Sequence, residues 1–143
     1  MAKPVKQLSI FVENQPGRTA EICNILAEHD IDIRALSLAD TTNFGIMRLI
    51  VNHPSRAESV LKEQGYTVSQ TNVIAVGIDD KPGGLAIALN VLRDADIAVE
   101  YIYAFVSRSE KTAFVILRVE DNAVAIEALQ AKGVRILAGE EIY

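Results

Sequence analysis

The chain has 143 residues, half of them hydrophobic and 23% charged, with a net charge of −5. That balance is ordinary for a globular protein, and the absence of a basic run argues against a nucleic-acid surface. No apolar run approaches the ~18 residues that span a membrane, Met1–Lys6 lacks the apolar core of a signal peptide, and the lone Cys23 cannot close an internal disulfide; cytoplasmic residence with no membrane partner is expected.

Leu8, Ile10 and Val12 alternate with Gln7, Ser9, Phe11 and Glu13, which predicts a strand with one apolar face. Pro16-Gly17 breaks it. From Thr19 to His29 the apolar residues Ala20, Ile22, Cys23, Leu26 and Ala27 fall at helical spacing, and Asp30 ends the helix. A second strand runs from Ile31 to about Ala39, a turn occupies Asp40–Asn43, and Phe44–Val51 is a third strand. Pro54-Ser55 opens a second helix carrying Ala57, Val60 and Leu61, and Gly65 stops it. Tyr66–Ser69 is a short fourth strand.

The order then recurs. Val73–Ile78 is predicted as a strand, Leu85–Arg93 as a helix, Ile97–Val106 and Thr112–Val119 as strands around the turn Ser107–Lys111. Ala123–Ala131 is a helix and Val134–Leu137 a strand. The recurrence is in the residues as well. Asn14-Gln15-Pro16-Gly17 returns 66 positions on as Asp80-Lys81-Pro82-Gly83, and Ala20, Asn24, Leu26, Asp30 and Ile31 return as Ala86, Asn90, Leu92, Asp96 and Ile97. Beyond the turns the offset is 68, matching Val51 with Val119, Leu61 with Leu129 and Gly65 with Gly133. The chain is therefore a duplicated module, residues 1–71 and 72–143. Each βαββαβ copy is expected to fold as a ferredoxin-like α+β unit, an antiparallel sheet with both helices on one face. The two are expected to pair side by side into an eight-stranded sheet. The face without helices must be solvated or meet a partner. Tyr101, Tyr103 and Phe105 share one side of their strand and Ile102, Ala104 and Val106 the other, but which row meets the helices is open. A homodimer is expected on this ground.

A strand, Asx-x-Pro-Gly, an amphipathic helix and then Ile-Asp-Ile entering a strand resembles the ACT domain, a small-molecule regulatory module. The first instance is Asn14-Gln15-Pro16-Gly17 with Ile31-Asp32-Ile33, the second Asp80-Lys81-Pro82-Gly83-Gly84-Leu85 with Ile97-Ala98-Val99. The resemblance covers essentially the whole chain as two consecutive units, of the stand-alone tandem type. The copies depart from the family pattern at Asn14, where it favours an acid, at Thr19, where it favours an apolar residue, and at Ala98, where it favours a polar one.

The first candidate site is the turn from Asn14 through Gln15, Pro16, Gly17 and Arg18 to Thr19. A helix starting there leaves backbone N–H groups unpaired at its positive end, which suits a carboxylate. Glycine admits a ligand to the backbone, Asn14 and Gln15 offer donors and acceptors, and Arg18 adds a charged donor. The plain alternative is a strand–helix turn capped by Asn14. The second candidate is Asp80, Lys81, Gly83, Gly84 and Leu85, where Asp79-Asp80 repels a carboxylate unless it meets an amino group; its plain alternative has Asp80 as the cap. In ACT proteins the ligand sits between one unit's Pro-Gly turn and the second strand of another. That resemblance implicates Leu36, Ser37 and Leu38 in one copy, and Ile102, Tyr103 and Ala104 in the other. Cys23 reads as core packing, and His29 and His53 make no zinc pattern, so neither a metal nor a cofactor is expected.

No Ser-His-Asp set, phosphate loop or acid–base pair points to an enzyme. The expected function is non-catalytic: binding of a small molecule, a free amino acid by resemblance, at the interface of the two units, with a metabolic enzyme regulated in trans. The alternative is a ligand-independent dimerisation or docking module for such an enzyme.

Overall fold

The computed structural model describes residues 5–40, 44–105 and 112–142. The elements run β1 (Val5–Glu13), α1 (Arg18–Glu28), β2 (Ile33–Asp40), β3 (Phe44–Val51), α2 (Pro54–Glu63), β4 (Val68–Asp79), α3 (Gly84–Asp94), β5 (Tyr101–Ala104), β6 (Thr112–Arg118), α4 (Asn122–Ala131), β7 (Arg135–Leu137) and α5 (Gly139–Ile142). Of the turn expected at Asp40–Asn43, Asp40 ends β2 and the rest lies outside the described residues, as do Val106 and the turn expected at Ser107–Lys111. Two compact units divide the described chain, one of Lys6–Thr71 and the other of Asn72–Ile142 together with Val5. Each is an α+β, ferredoxin-like sandwich of one antiparallel sheet and two long helices. No helix among the described residues is long and apolar enough to cross a membrane.

In the first unit the strand order is β2-β3-β1-β4. Leu8 pairs with Leu49 and Ile10 with Met47, so one sheet face presents Leu8, Ile10, Val12, Met47, Leu49 and Val51. Ile22, Ile25 and Leu26 of α1 and Ala57, Val60 and Leu61 of α2 pack on that face, and Cys23 joins them as packing. The period of two in β1 and the helical spacing in α1 thus meet in one core. Gln7, Ala35 and Ile50 are also fully buried, on the opposite sheet face; Gln7 Nε2 donates to Ser9 Oγ at 3.1 Å.

The second unit repeats the order as β5-β6-β4-β7. Ile74, Val76, Val115 and Leu117 face Ala88, Leu92, Ala125, Ile126 and Leu129 of its helices. The pairing of Ile102 with Leu117 and of Ala104 with Val115 answers the question of the aromatic row. Ile102 and Ala104 are on the helix side. Tyr101 and Tyr103 are on the other, stacked at 6.4 Å.

All four long helices end alike. After α1 and α3 the chain passes through Asp30 (φ 57) and Asp96 (φ 59), and after α2 and α4 through Gly65 (φ 91) and Gly133 (φ 76). Each time the following amide reaches back five residues: Ile31 N to Leu26 O at 2.9 Å, Tyr66 N to Leu61 O at 3.1 Å, Ile97 N to Leu92 O at 2.9 Å and Val134 N to Leu129 O at 3.0 Å. This is the left-handed cap that satisfies orphan carbonyls.

Three features differ from the expectation. The strands predicted at Tyr66–Ser69 and Val73–Ile78 are one strand, β4, so seven strands are described rather than eight. Ser69-Gln70-Thr71-Asn72 holds neither Gly nor Pro, and nothing in it breaks extended chain. The strand predicted over Ile97–Val106 shrinks to Tyr101–Ala104, with Phe105 N still bonded to Phe114 O at 3.0 Å. The Ile97 amide is spent on the α3 cap, and pairing begins only where Glu100 N meets Arg118 O at 2.8 Å. Finally, α5 was unforeseen. Glu141 fastens it by accepting from the Ala138 amide at 2.7 Å and from Arg135 at 3.2 Å, and both contacts hold its carboxyl below the usual range.

Gly84 has no room for a side chain, since a Cβ there would stand 2.0 Å from the Asp79 carbonyl oxygen. We expect Gly84→Ala to cost about 1–3 kcal/mol, as overpacking does. Urea denaturation measures it; an unchanged midpoint would show that the turn gives way freely.

Candidate functional site

The Pro-Gly turns are built identically from the backbone. In the first, Gln15 N–H donates to Glu13 O at 2.8 Å and Arg18 N–H to Gln15 O at 3.3 Å; in the second, Lys81 donates to Asp79 at 2.9 Å and Gly84 to Lys81 at 3.0 Å. Gly17 and Gly83 then serve as helix N-caps at φ 86, a left-handed conformation that an L side chain adopts only at a cost. Neither helix has a side-chain cap, so the capping roles considered for Asn14 and Asp80 are not taken up. The first intrahelical bond of α1 is Glu21 N to Gly17 O, at 2.9 Å. The amides of Thr19 and Ala20 precede it and have no helical acceptor.

In the first unit this turn walls a cavity of about 420 Å³. Asn14, Gln15, Pro16, Gly17, Arg18 and Thr19 line it together with Leu38, half exposed at the sheet edge. The sequence reading missed Val12, Glu13 and Gly45, which complete the lining. Gly45 carried a signal: a glycine inside a strand marks a close approach. Its missing Cβ would lie 3.3 Å from both the Ala39 carbonyl and Leu38 Cδ1. Of the other residues implicated on β2, Leu36 shares the Leu38 face, pairing with Leu49, but does not line the cavity. Ser37 pairs with Arg48 on the opposite face.

The second turn is arranged differently. Gly84 lines a cavity of about 240 Å³ with Ile87, Thr112, Lys132 and Arg135, while Asp80, Lys81, Gly83 and Leu85 are not part of it. Ile102 is on the helix side of β5 and Tyr103 on the other, so the two do not converge on one site.

Arg18 is the most engaged side chain at the first turn. Its guanidinium lies 3.8 Å from Glu13, 3.5 Å from Glu21 and 3.3 Å from Gln15 Oε1. These exposed contacts are each worth no more than about 1 kcal/mol, so Arg18 can be redirected at small cost. Arg18 and Glu13 also wall a second cavity, of about 350 Å³, with Phe11, Glu21, Phe44, Gly65 and Tyr66. There the Tyr66 hydroxyl is buried beside the Glu21 carboxylate and the Arg18 guanidinium. Burial, and the Glu21 carboxylate beside it, push this hydroxyl above its ordinary value of 10.0 against an opposing pull from Arg18. Among the described residues no group of His, Cys, Asp and Glu could hold a metal ion.

A family model described as an ACT domain pair matches residues 3–143. The chain belongs to the ACT domain pair family. Protein BT0572 from Bacteroides thetaiotaomicron shares 36% identity with this ACT pair; the match covers 99% of this chain and 97% of that one, with a TM-score of 0.92. The regulatory subunit of aspartate kinase from Thermus thermophilus, in ligand-free form, has the same fold at 19% identity, over 90% of this chain and 93% of that one, with a TM-score of 0.68. That of Thermus flavus is similar at 20% identity, over 90% and 92%, with a TM-score of 0.59. No curated protein matches the chain.

The raised Tyr66 value fixes a sign. The folded state of the ACT pair holds this proton more tightly than the unfolded chain, so the contribution is intact below about pH 10 and is lost as pH rises through the folded value. Urea midpoints across that range are expected to fall more steeply for the natural protein than for Tyr66→Phe. Parallel curves would show that the hydroxyl titrates as it does in the unfolded chain.

Proposed function

We propose that this ACT pair is a non-catalytic regulatory protein that binds a free amino acid at its first Pro-Gly turn and acts on a separate chain. The observation that carries the reading is the cavity of about 420 Å³ in which the turn residues Asn14–Thr19, the unpaired amides at the start of α1 and the apolar Leu38 converge. An amino acid presents matching chemistry. Its carboxylate suits the helix N-terminus and a redirected Arg18. Its ammonium suits Glu13 or the Asn14 and Gln15 side-chain oxygens, and its side chain suits Leu38. On the family resemblance, a strand of a second ACT unit supplies the remaining wall, in this chain or in the partner of a homodimer. The aspartate kinase regulatory subunits that share the fold make a metabolic enzyme a reasonable recipient of the signal. In the second copy the turn residues Asp80, Lys81, Gly83, Gly84 and Leu85 form the weaker candidate, because Gly84 is packed against the Asp79 carbonyl. Domain limits of 1–71 and 72–143 and cytoplasmic residence belong to the same reading.

One observation favours the second reading, a docking module without ligand. Phe11, Leu36, Leu38 and Phe44 of the first unit are all large, apolar and about half exposed.

A thermal-shift screen against the twenty amino acids separates the two. A ligand at ~100 times its dissociation constant adds about 2.7 kcal/mol, which is several degrees for a chain this size. We expect one amino acid, or a few related ones, to give that shift. Leu38→Asp should abolish it by setting a charge where the ligand's side chain packs, and so should Gly17→Asn, which keeps a left-handed turn but adds bulk. If no amino acid stabilises the protein at millimolar levels, the docking reading stands instead.

A further inference from the structure

The first turn cavity has a polar side and an apolar side. Its polar side chains all lie between Glu13 and Thr19, where β1 gives way to α1; the sheet contributes Val12, Leu38 and Gly45. Two of the polar residues are charged, Glu13 and Arg18, 3.8 Å apart with side chains 57% and 37% exposed. An amino acid carries that same pair of charges on its main chain. Its carboxylate can take the guanidinium, and its ammonium the carboxylate that the guanidinium leaves, so each half of an exposed ion pair finds a new partner. No charge is then left over to meet a charged side chain, and an unmatched charge against an apolar wall is costly. The substituents of the ligand's Cα diverge. With two of them held at the turn, the third is directed away from it, and what it meets is the sheet edge.

That edge is built by one pair of residues. A Cβ at Gly45 would stand 3.3 Å from Leu38 Cδ1, so the leucine lies over bare backbone. An alanine at that position would make the leucine give way. The second copy is built otherwise. Ala104 stands 66 positions after Leu38 and Ala113 stands 68 after Gly45, in matching register, since Gly45 pairs with Val12 and Ala113 with Ile78. Neither alanine lines the cavity at Gly84. Where the first copy sets a large apolar side chain over a glycine, the second has two methyl groups.

We propose, resting on the reading that the first turn binds an amino acid, that the ligand is one with an uncharged, apolar side chain. Leu38 selects it by contact, and Gly45 is the positioning residue that seats Leu38. Aspartate, glutamate, lysine and arginine bring a third charge that has no counterpart in the lining. Serine, threonine and asparagine bring a polar group to a wall without a polar side chain. Ala39, whose carbonyl lies near Gly45, does not line the cavity. Glycine and alanine satisfy the turn but cover little of Leu38. Full burial of a methylene is worth roughly fourfold in affinity, and a leucine that is half exposed returns a part of that for each methylene laid on it.

The test is an amide NMR titration of the full chain with L-alanine, L-2-aminobutyrate and L-norvaline, read at Gly17 and Thr19, with L-threonine, L-aspartate and L-lysine as polar and charged comparisons. Affinity is expected to rise by roughly two- to threefold with each methylene, and the polar and charged amino acids to bind at least ~tenfold more weakly than norvaline. Leu38→Ala and Gly45→Ala each carry the second copy's residue, and each should lower the ratio of norvaline to alanine affinity by roughly threefold. A merely structural effect would weaken all ligands alike and leave that ratio in place. The proposal is overturned, with the amino-acid reading intact, if threonine, aspartate, lysine or alanine binds as tightly as norvaline, or if neither variant lowers the ratio. Absence of any saturable shift at Gly17 and Thr19 up to ~50 mM overturns both.

Discussion

Gly17 and Gly83 turn the chain from a strand into a helix within four residues, and each does so at φ 86. A left-handed residue there costs an ordinary L side chain about 1–2 kcal/mol; glycine takes it without steric penalty. That single conformation sets where α1 leaves β1. It brings Ile22, Ile25 and Leu26 over Leu8, Ile10 and Val12, and its repeat at Gly83 brings Ala88 and Leu92 over Ile74 and Val76. Core formation therefore depends on a backbone angle at a residue with no side chain to bury. The same angle leaves the amides of Thr19 and Ala20 outside the helical ladder, available at the lip of a cavity.

The first turn also parts two cavities, with Glu13 and Arg18 in the wall of both. Arg18 has five donors in a rigid fork and meets Glu13, Gln15 and Glu21 with them. Any occupant that engages its guanidinium on one side draws it from partners on the other. Since those partners are solvent-exposed, the exchange is cheap, and a cheap exchange is what a responsive site needs. A buried, fully satisfied arginine would hold its place and transmit nothing.

Much of this was legible in the sequence because it rests on local rules. The alternation in Leu8–Glu13, the run Phe44–Val51, Gly65 as a stop and Asp30 as an end all come from residues acting within one turn of themselves. Asn14–Thr19 with Leu38 was legible only with the help of family resemblance, because strand and turn meet across 20 residues of chain. The fusion of two strands into β4 was not legible: a weak polar stretch, Ser69–Asn72, reads equally well as a link or as a strand. The short β5 was hidden because its length depends on where β6 stops, at Arg118. The aromatic groove was hidden for a similar reason. Phe11 lies on the face of β1 away from the core, Phe44 opens β3, and Tyr66 follows α2; no pattern along the chain links the three before the sheet exists.

The copies diverge most tellingly at one position. Arg18 and Gly84 both donate an amide to the residue three before them and both open a helix after a left-handed glycine. Yet a Cβ at Gly84 would stand 2.0 Å from the Asp79 carbonyl, while Arg18 carries a full side chain at the matching place. The second turn has closed down on its own backbone. A side chain at Gly84 requires the Asp79 carbonyl to move, and Ala104, in the place of Leu38, offers less apolar wall at the sheet edge. In a turn packed this closely, substitutions bear on stability before they can open room for a ligand. On the proposed function, substitutions at Asn14–Thr19 would bear on binding, whereas those at the second turn would bear on the fold that its glycine cap, Gly83, still enforces.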